Sequence, residues 1–284
     1  ATQDTAGPMA RTVTDAAILL GALAGADAND AVTQQSNEKA HTDYTQFLQS
    51  NGLQGKRIGI EKSHLHGHED VVALYKAALQ TMKEKGAVIV ELDVLKAIHN
   101  IKGISDAEFT VLLYEFKDGV NKYLSNANCK MKTLQDVIDY NNLHSSTAMP
   151  YFKQETLLAA QQKGDLQSKE YTDALAATLS SRKVITDLMS NNKLDALCGV
   201  TNGFACCIDL INGDYDTGFS FSTPAAISGF PHITVPMGFA HYLPVGLSFF
   251  STAYTEPQLL SIAYAYEQAS LHRKAPQFVK NLLQ

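Results

Sequence analysis

Between Lys56 and Leu92 the chain reads strand, helix, strand, and that run restricts the fold more than any other stretch. Lys56-Arg57-Ile58-Gly59-Ile60 is a short strand rich in β-branched residues. Val71, Leu74, Tyr75, Ala78, Leu79 and Met82 then recur at three- and four-residue spacing, which puts them on one face of a helix. Gly86 ends that helix, and Ala87-Val88-Ile89-Val90-Glu91-Leu92 is a second strand. Two strands joined through a helix pair in parallel, with a right-handed crossover. The expected class is α/β.

The flanking segments extend this frame. Thr12 and Asp15 form a capping pair ahead of Val13, Ala16, Ala17, Leu20, Leu23 and Ala24, a helix that Gly25 should stop. The polar stretch from Asp27 to about Thr45 reads as a long loop. Residues 105–190 are helical in pattern, around Phe109–Leu124, Thr133–Leu143, Tyr151–Gln162 and Tyr171–Met189, and read as a helical insertion in a single α/β unit spanning 1–284. The last third returns to sheet. Leu194–Cys198, His232–Val235 and Val245–Phe250 are strands, and Pro224–Ser228 is a short helix ended by Gly229. Gly238 and Pro244 lie between the last two strands and predict an antiparallel hairpin. A closing helix carries Leu259, Ile262, Ala263 and Tyr266 on one face. A mixed sheet flanked by helices follows.

Several function classes are excluded or disfavoured. A formal net charge of -6 gives a nucleic-acid partner no electrostatic support. No apolar run approaches the roughly 20 residues that span a bilayer, so no membrane role is expected. Cys129, Cys198, Cys206 and Cys207 fit neither a disulfide scaffold nor a zinc pattern, and read as reduced, mostly buried thiols. The chain opens on Ala1-Thr2-Gln3-Asp4 and runs at once into Gly7-Pro8, which reads as a chain entered in mid-fold. Any targeting segment would then lie upstream of Ala1, and the cytoplasm is the favoured compartment.

Two blocks carry a resemblance. The first is Gln3-Asp4-Thr5-Ala6-Gly7-Pro8-Met9-Ala10-Arg11-Thr12-Val13-Thr14-Asp15. The second starts at Leu194-Asp195-Ala196-Leu197 and runs through Ser222-Thr223-Pro224-Ala225-Ala226-Ile227-Ser228-Gly229-Phe230-Pro231, Ile233-Thr234-Val235-Pro236 and Leu243-Pro244-Val245-Gly246-Leu247-Ser248-Phe249, ending at Ala265-Tyr266-Glu267-Gln268. In order and spacing both blocks resemble the C-terminal half of the amidase-signature family. Thr201-Asn202-Gly203 followed by Ile208-Asp209-Leu210 looks most like its peptide-amidase branch, which removes the C-terminal amide from peptides. Phe219 and Ala226 depart from the glutamyl-tRNA amidotransferase pattern, which argues against recognition of a free amino-acid head group.

The resemblance implies hydrolysis of linear carboxamides by a Ser-cis-Ser-Lys triad, in which Lys is the base, the bridging Ser relays the proton and the second Ser attacks. Backbone N–H groups would hold the oxyanion. The glycine-flanked serines that this needs are missing: the chain has no Gly-Gly dipeptide, and Ser145-Ser146, Ser180-Ser181 and Ser220-Phe221-Ser222 lack flanking glycines. The expectation is that no catalytic residue lies in this chain and that the triad lies upstream, in an N-terminal half of the same protein. No metal or other cofactor is implied. Asn202, Gly203 and Ser222 are the candidate substrate-binding residues, Asn202 offering both a donor and an acceptor to an amide. Asp4 and Thr5 would support the nucleophile loop from behind. Each has a plainer reading, since Asn202-Gly203 is also a turn signal and Asp4-Thr5 can simply fix a turn.

Three rival readings remain open at this level. His64, His66 and His68 alternate, and in an extended segment would share one face as a metal site. Cys198, Cys206 or Cys207 with His232 could be a thiol nucleophile and its base. Alternatively, the chain is a non-catalytic ligand-binding or interaction fragment. Taken alone it is expected to bind an amide or amidated-peptide substrate poorly and to hydrolyse nothing. An exposed sheet edge or an apolar face should make the isolated chain a dimer or higher oligomer.

Overall fold

A computed structural model describes residues 2–278. In chain order the elements are α1 (Val13–Leu23), β1 (Arg57–Glu61), α2 (Glu69–Glu84), β2 (Val88–Leu92), α3 (Val94–His99), α4 (Ile104–Asn126), α5 (Leu134–Leu143), α6 (Ser145–Ala148), α7 (Glu155–Gln161), α8 (Lys169–Asn192), β3 (Ala196–Val200), α9 (Thr223–Ser228), β4 (His232–Ala240), β5 (Leu243–Phe250) and α10 (Glu256–Ser270). Among the described residues no helix is long and apolar enough to cross a membrane.

The five strands form one mixed sheet in the order β2-β1-β3-β5-β4. β1 pairs in parallel with β2 and with β3, while β5 runs antiparallel to both β3 and β4. The strand–helix–strand run thus supplies the parallel half and the C-terminal hairpin the antiparallel half. The chain divides into two compact units: a smaller one holding Ile98–Ser181, Cys206–Tyr215 and the first four residues, and a larger one holding Thr5–Ala97, Arg182–Ala205 and everything from Asp216 on.

The larger unit contains the sheet. On one face, Ile58 and Ile60 of β1, Cys198 of β3 and Leu247 and Phe249 of β5 pack under Val13 and Ala17 of α1, Val71, Tyr75 and Met82 of α2, and Leu259, Ile262 and Tyr266 of α10. These are the periodic apolar positions of the sequence, and each fully buried large side chain stabilises the unit by roughly 1.5–3 kcal/mol. Tyr75 is fully buried, and its hydroxyl donates to the carbonyl of Cys198 at 3.2 Å, which fastens α2 to the middle of the sheet. α1 is tied to α10 by the Val13 N–H, which donates to Glu267 at 2.9 Å. Thr12 caps α1 by accepting from the Asp15 N–H.

The other face is flatter. A Cβ on Gly59 would fall 2.6–2.8 Å from Leu194, Leu197 and Leu92, and one on Gly199 would fall 2.5 Å from the Phe221 ring. Phe221 therefore lies down on β3 at Gly199, 5.2 Å between ring centroids from Phe250 of β5.

The smaller unit is helical. Leu113 of α4, Leu134 and Ile138 of α5 and Ala160 of α7 form one cluster. Val111 and Tyr114 of α4 form another with Tyr171 of α8. Tyr171 also donates to buried Glu115 at 2.9 Å.

The structure corrects several local expectations. The stretch 27–45 is not uniformly loop: Ala31–Ser36 is a 3-10 turn with Asp30 as its cap, and a second turn spans Thr45–Phe47. α3 was not legible, being a six-residue helix without a full apolar period. The last two strands form a hairpin, but the reversal is at His241-Tyr242, between the paired Ala240 and Leu243. Gly238 sits instead at a bulge, where a Cβ would meet the Leu74 side chain at 2.5 Å, and Pro244 is inside β5. The thiols are not mostly buried: Cys198 is, whereas Cys206 is half-buried and Cys129 and Cys207 are exposed.

Candidate functional site

The site grows from the carboxyl end of β3. Val200 is the last strand residue, and its N–H donates to Nδ1 of His64 at 3.0 Å. His64 is 3% exposed and stands among the rings of Tyr75, Phe219 and Phe221, at centroid distances of 6.0, 5.4 and 5.6 Å. Burial lowers its pKa to about 4, against a smaller opposing pull from Glu61, so at pH 7 it is a neutral acceptor. Gly67 lets the same turn close on Phe219, since a Cβ there would fall 2.7 Å from the ring. His64 thus props both the end of β3 and the returning segment 219–221.

Beyond Val200 the backbone is clamped on both sides. The Thr201 N–H donates to the Gly246 carbonyl at 2.9 Å, and the Thr201 carbonyl accepts from the Phe221 N–H at 3.2 Å. Asn202 forms an isolated antiparallel bridge with Ser220. Its side-chain oxygen accepts from the Gly203 N–H at 3.1 Å, and the side chain is exposed. Gly203 is buried, and a Cβ there would collide with Thr217, 2.4 Å from its hydroxyl and 2.6 Å from its carbonyl. Ser222 is exposed at the start of α9, where its carbonyl accepts from the Ala225 and Ala226 N–H groups. Asn202, Gly203 and Ser222 are therefore brought onto two adjacent backbone stretches. Asp4 and Thr5 are both exposed on the segment leading to α1. Among the described residues, the hydrogen bonds that gather the other three do not include them.

Sequence reasoning missed the polar group next to this clamp. His232 Nε2 lies 2.7 Å from Ser248 Oγ, Ser248 Oγ donates to Thr201 Oγ1 at 2.9 Å, and Thr201 Oγ1 lies 2.6 Å from Thr234 Oγ1. Strand register creates the row: Gly199 pairs with Ser248, which pairs with Thr234, while His232 pairs with Phe250. Gly246 clears the ground beneath, since a Cβ there would fall 2.8 Å from the Thr201 hydroxyl and 2.9 Å from that of Thr234. Burial lowers the pKa of His232 to about 4, so it too is neutral at pH 7. Thr234 is exposed, which leaves the row ending at the surface.

The rival constellations come apart. His64 accepts from Val200, exposed His68 caps α2 by accepting from the Asp70 N–H at 3.3 Å, and His66 is exposed. The segment is a 3-10 turn over Lys62–Leu65 and not an extended strand, so the alternating side chains do not share a face. Among the described residues no group of three or more His, Cys, Asp or Glu side chains is gathered as a metal would need. Cys198 faces the helix-covered side of the sheet, and full burial pushes its thiol pKa well up. His232 is on the opposite face and engaged with Ser248.

Of the three gathered residues, Asn202 and Ser222 are exposed and Gly203 is buried. Two concavities of about 390 and 400 Å³ are lined by Asn141 with Ala148–Leu157 and by residues around Phe47 and Pro257, and no candidate residue borders either.

Comparison with known proteins fits this geometry. The Amidase family profile matches residues 1–260. The peptide amidase PAM, in complex with the competitive inhibitor chymostatin, is 38% identical with a TM-score of 0.88, over 98% of this chain and 56% of that one. Native peptide amidase from Stenotrophomonas maltophilia is 37% identical with a TM-score of 0.86, over 98% and 55%. A probable amidase of Arabidopsis thaliana is 34% identical over 282 residues, 98% of this chain and 50% of the relative. The chain spans about half the length of the relatives it matches. With the profile running from residue 1 to residue 260 and the peptide-amidase fold shared along nearly the whole chain, this protein belongs to the amidase family.

Proposed function

We propose that the chain is the substrate-facing part of an amidohydrolase that cleaves linear carboxamides of the amidated-peptide type. The observation that carries this reading is the clamp of Thr201-Asn202-Gly203 against Ser220-Phe221-Ser222 at the carboxyl end of a central strand, in an amidase-family chain that is 38% identical to a peptide amidase. Open α/β sheets bind ligands at such strand ends. Asn202, whose oxygen is held by the Gly203 N–H, presents its amide NH2 to a substrate carbonyl, and Ser222 adds a hydroxyl beside it. The Ser-cis-Ser-Lys triad belongs to a segment outside this chain, with Asp4 and Thr5 supporting its nucleophile loop. The helical stretch 105–190 is an insertion in the α/β unit. The cytoplasm is the compartment in this reading, since all four cysteines are free.

In the enzyme completed by its upstream half, Asn202→Ala raises KM for an amidated peptide by about 3- to 10-fold, the worth of one neutral hydrogen bond. Steady-state ammonia release measures it. An unchanged KM would remove Asn202 from the site.

A further inference from the structure

We propose that Thr234 is a substrate ligand whose hydroxyl donates to a carbonyl oxygen of the bound amide, and that His232 is the positioning residue that sets this donation through Ser248 and Thr201. The inference rests on the reading of this sheet face as the substrate wall, and adds to it two residues and a direction of hydrogen bonding.

From His232 to Thr201 the direction follows from counting protons. Ser248 Oγ donates to Thr201 Oγ1, so its one proton is spent there, and at the His232 nitrogen 2.7 Å away it acts as acceptor. His232 must then carry its proton on Nε2. Being neutral at pH 7 it has a single N–H, so the tautomer is fixed as well. Thr201 accepts from Ser248, and in the direction proposed here it gives its own proton to Thr234, 2.6 Å away, a pair in which either hydroxyl can donate. Thr234 thus receives a hydrogen bond and still has a proton to give. With Thr201 as the donor, the acceptor left to it inside the protein is the Leu247 carbonyl at 3.4 Å, outside the range of a good O–H···O bond. The row therefore ends in an exposed hydroxyl whose proton is underused.

Such a hydroxyl prefers a partner that can only accept, which in an amide is the carbonyl oxygen. The floor is shaped for one. Gly246 lies beneath the Thr201 and Thr234 hydroxyls where any Cβ would crowd both, and exposed Asn202 directly follows Thr201 in the chain. Thr234 on β4 and Asn202 on the segment after β3 would then hold a carbonyl-bearing substrate between them.

Two measurements test this separately. On the 284-residue chain, the ring 15N shifts of His232 at pH 7 report its tautomer. Nε2–H is expected, and Nδ1–H would reverse the row and overturn the proposal. In the completed enzyme, Thr234→Val should raise KM for an amidated peptide by about 3- to 10-fold, with kcat within about twofold, as loss of one neutral bond in both ground and transition state requires. Thr234→Ser should restore KM. His232→Leu should reproduce the KM rise without touching substrate, and His232→Gln, which keeps a donor, should largely rescue it. A Thr234→Val enzyme with wild-type KM overturns the proposal even with the expected tautomer. Nε2–H in a completed wild-type enzyme that releases no ammonia would instead sink the amide reading, and with it the substrate assigned to Thr234.

Discussion

His64 is buried at the carboxyl end of β3. Its ring accepts from Val200 and is packed by three aromatic rings, so protonation would break that bond and bury a charge. The folded pKa of about 4 lies below the ordinary 6.5, so between those values the unfolded chain binds more protons. Stability from this group is fully present above about pH 6.5 and is lost as pH falls toward 4. The loss amounts to about 3 kcal/mol, at about 1.4 kcal/mol for each tenfold difference in proton affinity between the folded and unfolded chain. His232 contributes with the same sign. Urea denaturation at pH 7 and pH 4.5 should show the drop, and His64→Gln should reduce the pH dependence to the part that His232 carries. A wild-type stability that is flat over this window would contradict the assignment. In sequence the alternation of three histidines pointed to an extended face. What broke the alternation is Glu61, whose side chain accepts from the Ser63 N–H and starts a 3-10 turn.

At the scale of elements, periodicity was a good guide and close backbone approach a poor one. The helical faces of α2 and α10 were readable because their apolar positions repeat against one core. Gly238 and Pro244 were misread as a reversal because a glycine that makes room for Leu74 looks, in sequence, like one that makes a turn. The actual reversal uses His241 and Tyr242 at φ 49° and 63°, left-handed conformations that favour Asn and Gly in two-residue hairpins. Tyr242→Gly should therefore raise stability by about 1 kcal/mol, by relieving the left-handed strain, with thermal unfolding as the readout. A fall in stability would show that Tyr242 contributes more through its own packing. The row from His232 to Thr234 could not be read at all. Ser248 and Thr201 are 47 residues apart in sequence, and only the β3–β5–β4 register sets them side by side.

At the scale of the whole molecule, the class, the mixed sheet and the family were legible, because two long blocks keep their order and spacing around one parallel unit. Candidate residues on the β3 loop were legible through that resemblance, and their clamping partners were not. Among the described residues the sheet ends at β2 and at the nine-residue β4, and backbone groups along such an edge invite another strand. We propose that the isolated chain self-associates along such an edge. Light scattering at increasing concentration should report a mass above 30.9 kDa, and a monomer at every concentration would contradict it.

In the proposed reading this chain supplies the binding wall, and not the nucleophile, of an amide hydrolase. Ammonia release from a C-terminally amidated peptide tests it most directly, measured first with a sample whose intact mass equals the 284-residue chain and then with the upstream half restored. No release is expected from the chain alone, and release is expected from the restored enzyme. Release by the chain alone would place the nucleophile within these residues, and silence from the restored enzyme would contradict amide hydrolysis itself.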